Sequence, residues 1–181
     1  QSSATLLSIP SMLAGRPVGT MNFDRKQDTL RARAADEPLA ATLQRHGYRT
    51  GFVVDRYVTN RLPAALDGFE SLESITGEED VSPWRARQAA TAVTRAIEFL
   101  ERDPGYLQPF FLTIYTADPH SPYVEHPGTR KFGKGGGARY DNELAYTDQY
   151  IGMLVEYLRA KPPLLDDTIV IVSSDHGEEF N

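Results

Sequence analysis

The sequence predicts an α/β fold, a three-layer sandwich with a mainly parallel sheet, from three observations. Short apolar runs of strand composition occur at Thr50 to Val54, Pro109 to Tyr115 and Thr168 to Val172. Segments with helical spacing of apolar residues separate them. The runs are nearly continuous in apolar character rather than alternating, which marks strands covered on both faces by helices.

Each element has its own signal. Ser2 to Gly15 reads as a hydroxyl-rich lead, a short helix and a glycine stop. A helix from Asp36-Glu37-Pro38 through Leu39 and Leu43 ends at Gly47, where a left-handed residue is wanted. Ser82-Pro83 opens another as N-cap and first-turn proline, with Val93, Ala96, Ile97 and Leu100 on one stripe, and it stops before Asp103-Pro104-Gly105. The longest, Arg139 to Lys161, carries Leu144, Ile151, Val155 and Leu158 toward the core until Pro162-Pro163. Val58 to Asp80 and the glycine-rich Ser121 to Ala138 read as surface loops. There is no internal repeat or composition break, so residues 1–181 are expected to form a single domain.

Composition narrows the chemistry. With 40% hydrophobic and 24% charged residues the chain has the apolar content for a core, and 19 Lys plus Arg against 25 Asp plus Glu give a net charge of −6. That balance argues against a nucleic-acid partner. No apolar run approaches the ~20 residues of a membrane span. Zero Cys removes disulfides, thiolate ligands and a cysteine nucleophile.

In a parallel sheet, ligands gather beyond the carboxyl ends of the strands. After Thr168 to Val172 comes Ser173-Ser174-Asp175-His176-Gly177-Glu178, an adjacent carboxylate and imidazole, both good ligands for a divalent metal. The bland alternative is a solvated turn. After Pro109 to Tyr115 comes Thr116-Ala117-Asp118-Pro119-His120-Ser121-Pro122-Tyr123, whose prolines restrict the backbone around His120. His120 is a candidate contact to an anionic oxygen or a proton donor to a leaving group, against simple hydration. A hydroxyl at the first helix suits a nucleophile, because amides and dipole favour an anion there and a metal can promote an alkoxide, although Ser or Thr there is usually an N-cap. Glu143 and Asp148 are read as a solvated helix face, the helix tyrosines as packing contacts, His46 as a complement to a helix dipole, and His126 as outside any motif.

Taken together and in this order, these segments resemble the sulfatase family of the alkaline phosphatase superfamily. Phe110-Phe111-Leu112 through Pro119-His120-Ser121-Pro122-Tyr123 is similar to its strand and Pro-His-x-Pro-Tyr loop. Tyr140-Asp141-Asn142-Glu143 through Tyr146-x-Asp148 and Ile151-Gly152 resembles the following helix, and Leu165 through Asp175-His176-Gly177-Glu178 its metal-binding strand. The resemblance implies an alkaline-phosphatase-like fold and metal-dependent hydrolysis or transfer of a sulfate or phosphate ester through a covalent intermediate. It makes Asp175 and His176 metal ligands for Zn, Mn, Ca or Mg, and His120 a substrate or leaving-group contact. Counting back from Leu13-Ala14-Gly15 puts the nucleophile at Thr5, as in the branch that transfers phosphoethanolamine or phosphoglycerol; Ser8, as nucleophile or substrate contact, is second.

Departures are also present. Ser8-Ile9-Pro10-Ser11-Met12 imitates the Cys/Ser-x-Pro-x-Arg motif that yields formylglycine, but Met12 replaces its Arg. Gly51 to Tyr57 stands where the sulfatase Gly-Lys-Trp-His segment would fall. A catalytically degenerate scaffold and a formylglycine sulfatase are therefore the alternatives. The resemblance further implies ligands before Thr5 and after the Asp-His-Gly segment, so the chain is expected to be an internal portion, incomplete at both ends and poorly active alone. The expected partners are an anionic ester and the missing flanking segments, and an extracytoplasmic location is implied.

Overall fold

The computed structural model describes residues 4–21, 23–26, 29–32, 37–75, 88–162 and 164–178. In chain order the elements are α1 (Thr5–Ala14), β1 (Phe23–Lys26), β2 (Thr29–Ala32), α2 (Leu39–Arg45), β3 (Arg49–Val54), α3 (Arg56–Arg61), β4 (Ser71–Ser74), α4 (Gln88–Glu101), β5 (Phe110–Ile114) and α5 (Gly136–Arg159). β4, β3 and β5 form a parallel sheet in that order, with Phe52 opposite both Leu72 and Thr113. β1 and β2 pair separately as an antiparallel ribbon.

Side chains alternate across a strand, so β3 and β5 sort their apolar residues onto two faces. Phe52, Val54 and Phe111 pack with Ile9 and Leu13 of α1, Ala40 of α2 and Val58 of α3. Val53, Leu112 and Ile114 pack with Ala92 and Ala96 of α4 and Leu154 of α5. Helices on both faces give the three-layer α/β sandwich. Gly51 is required by close approach, since a Cβ there would lie 2.6 Å from the Phe99 ring of α4. Arg49 tightens the same junction by donating to the Phe99 carbonyl at 2.6 Å.

The glycine stops behave as the sequence predicts, with Gly15 at φ 62° and Gly47 at φ 82°. The Ser82-Pro83 helix start lies outside the described residues. Three expectations need correction. The stretch read as an irregular loop after Val58 contains β4, whose Leu72 is its one large apolar residue; pairing with β3, not composition, makes it a strand. Thr168 to Val172 has strand composition but joins no described strand, and Ile169 and Ile171 are 88% and 83% exposed. β-propensity expresses itself only where a neighbour supplies the ladder. On α5, Leu144 faces solvent, whereas Asn142, Glu143 and Tyr146 are buried. Among the described residues no helix is long and apolar enough to cross a membrane.

Candidate active site

The residues with chemistry lie just after β3 and β5, at the start of α1 and after the Thr168 to Val172 segment. α1 begins at Thr5 on the face of the sheet occupied by Phe52 and Phe111, and its first amides have no carbonyl within the helix to bond. Thr5 Oγ1 lies 3.1 Å from Nε2 of His176, so residues 171 positions apart meet. His176 Nδ1 lies 2.8 Å from the Gly177 carbonyl, which can only accept. Nδ1 therefore carries a proton, and Nε2 faces the Thr5 hydroxyl.

Asp175 completes the group. Its Oδ1 accepts from the His176 amide at 3.0 Å, and its Oδ2 stands 3.5 Å from His176 Nε2. Oδ2 is buried and makes no hydrogen bond. A buried carboxylate oxygen without a donor, a hydroxyl and an imidazole nitrogen close together are the donor set a divalent cation takes. Thr5, Asp175 and His176 therefore fit the metal that the sequence resemblance implies.

Two neighbours were not singled out by the sequence reading. Tyr115, directly after β5, hydrogen-bonds Thr5, and burial together with the Asp175 charge holds its phenol well above the ordinary value. Asp55, directly after β3, is 2% exposed and caps α3 by accepting from the Val58 amide at 2.8 Å. Burial raises its carboxyl above the usual range, against the pull of the α3 amides and Arg61. Their position immediately after a strand is the signal that could have found them.

His120 stands five residues beyond Tyr115. The loop that carries it is pinned to α4, with the Ala117 amide donating to Gln88 Oε1 at 2.7 Å and Asp118 Oδ2 accepting from the Ala89 amide at 2.7 Å. His120 Nδ1 lies 2.6 Å from the Ser121 carbonyl. Ser8 sits one turn into α1 and is 3% exposed, so it faces the core while Thr5 faces the strand ends.

Glu143 is not on a solvated face. It is 2% exposed, its Oε1 accepts from the Val124 amide, and its Oε2 lies 3.3 Å from Nε2 of His126, itself 4% exposed. The neighbouring Asn142 accepts from the Phe132 amide at 2.6 Å. These polar residues of α5 hold the segment between β5 and the helix. Tyr146 stacks on His126 with ring centroids 3.5 Å apart, and Tyr150 meets Tyr146 edge-on, so both tyrosines are packing contacts. His46 Nδ1 meets the Thr42 carbonyl at 2.8 Å, as expected for a helix end.

A family model described as Sulfatase matches residues 1–181. No curated protein matches the sequence. Among solved structures, one similar in fold is a protein in the alkaline phosphatase superfamily from Vibrio parahaemolyticus, with TM-score 0.56 and 21% identity over 69% of this chain and 32% of that one. Another is the lipoteichoic acid synthase LtaP from Listeria monocytogenes, with TM-score 0.53 and 18% identity over 68% of this chain and 33% of that one. The chain thus aligns to about a third of the length of these structures.

Proposed function

The chain belongs to the sulfatase family, and from that premise we propose that it carries the nucleophile and part of the metal site of an enzyme that hydrolyses or transfers a sulfate or phosphate ester. The observation that carries this reading is the 3.1 Å approach of Thr5 Oγ1 to His176 Nε2 beside the orphaned oxygen of Asp175. Thr at that position resembles the branch that transfers phosphoethanolamine or phosphoglycerol groups, and the structural similarity to LtaP is in keeping with it.

Thr5, Asp175 and His176 would hold a divalent cation, which when bound supplies positive charge that favours the Thr5 alkoxide and the anionic ester. Thr5 Oγ1, its proton released to bulk water, attacks phosphorus or sulfur in line as the bond to the ester's alcohol oxygen breaks, and the α1 amides stabilise charge on the nonbridging oxygens. Tyr115 stays protonated at physiological pH, so its hydroxyl orients Thr5 without adding a competing anion. His120 gives a proton to the departing alcohol. Water or a second alcohol then attacks the covalent ester, and Thr5 is regenerated.

The test uses the full-length parent protein with a panel of aryl sulfate, phosphomonoester and phosphodiester substrates. Thr5→Ala is expected to lower turnover by about a thousandfold or more on the preferred substrate, and intact mass of the native protein during turnover should show an ester adduct that the variant lacks. Turnover unchanged by Thr5→Ala would eliminate the assignment.

A further inference from the structure

The segment between β5 and α5 and the helix itself bring Asp118, His126 and Glu143 together. Each offers one ligand atom, and the three atoms lie within 4.8 Å of one another. All three residues are at most 8% exposed. Neither ring nitrogen of His126 makes a hydrogen bond, yet Nε2 points at Glu143 Oε2 from 3.3 Å. Two buried carboxylates beside one imidazole leave a net negative charge that the apolar surroundings penalise.

We propose that Asp118, His126 and Glu143 form a structural site for one zinc-like divalent cation, separate from the Thr5, Asp175 and His176 set. The charge argument favours a dication, because it offsets both carboxylates while the His126 imidazole supplies a nitrogen ligand. Geometry favours it as well. Metal–ligand bonds of ~2.0–2.1 Å in a tetrahedral shell separate adjacent donor atoms by ~3.3 Å, the spacing already present between His126 and Glu143. Asp118 has to close by at most ~1.5 Å on loading. The remaining acceptors keep their own work: Asp118 Oδ2 holds the Ala89 amide and Glu143 Oε1 the Val124 amide. The cation would therefore clamp the His120 loop to α5, adding to the stacking of Tyr146 on His126 and the hydrogen bonds that already join them.

The experiment is carried out in an Asp175→Ala/His176→Ala background of the full chain, so that loss of the proposed catalytic metal and loss of this site are read separately. Chelator-stripped protein is dialysed against Zn²⁺ and analysed for bound metal. One zinc per chain is expected to remain in the background, and His126→Ala or Glu143→Gln should weaken it by about a hundredfold or more. Glu143→Gln keeps an acceptor for the Val124 amide, so it is the variant to use if His126→Ala does not fold, as judged by circular dichroism. X-ray absorption of the zinc-loaded background should show one imidazole in an otherwise oxygen shell. No bound zinc, affinity unmoved by both substitutions, or a shell of two or more imidazoles would each overturn the proposal, the first two in favour of a metal-free buried polar cluster and the last in favour of a site elsewhere.

Discussion

β3 and the segment Thr168 to Val172 are both apolar runs of strand composition and live in opposite environments. Phe52, Val53 and Val54 of β3 are at most 1% exposed, paired on both sides and covered on both faces. Ile169, Ile171 and Val172 are 88%, 83% and 68% exposed. Composition therefore selects a strand-competent segment, but pairing decides whether the backbone groups and apolar side chains find partners. The difference reaches the candidate site. Tyr115 directly follows β5 and His120 stands six residues beyond the strand's end, whereas Asp175 and His176 follow the uncovered segment, and Thr5 meets His176.

The largest effect that would break this contrast lies in β3. Phe52→Ala empties a site between α1, α3 and Phe69, whose ring lies 5.0 Å away, and should cost about 3–5 kcal/mol in urea unfolding. A loss below about 1 kcal/mol would mean that β3 is not the centre of the core. Next comes the carboxyl end of the same strand. Asp55→Ala removes the cap of α3 and should cost about 1–2 kcal/mol.

Asp55 also makes a pH prediction. Its folded pKa is raised by burial, so its contribution is fully present below the unfolded value near ~3.9 and is lost as pH rises through the higher folded value. Asp55→Asn retains the acceptor and should flatten that decline; an identical pH profile of urea midpoints in wild type and variant would refute it. The smallest effect is expected in the uncovered segment. Ile171→Ala should shift the unfolding midpoint by no more than about 0.5 kcal/mol, and a core-sized loss there would show that the segment is covered in solution.

Much of the candidate site was proposed from the chain because strand ends in a parallel sheet are where ligands gather, and Asp175-His176 and His120 lie in the segments that follow apolar runs. Tyr115 and Asp55 obey the same rule but look in sequence like the last residue of a strand and an ordinary cap. Glu143 and His126 gave no usable signal, since an acid on a helix and a histidine in a loop are usually solvated.

By itself the sequence determined the α/β class, the parallel β3 and β5, the glycine helix stops at Gly15 and Gly47, and the residues able to carry chemistry, because periodicity, turn residues and ligand types are local properties. Only tertiary structure decided that Thr5 meets His176, that Thr168 to Val172 goes unpaired among the described residues, and that Asp118, His126 and Glu143 share one buried space. Those outcomes depend on contacts between residues from eight to 171 positions apart, set by which faces pack together, and no local pattern encodes them.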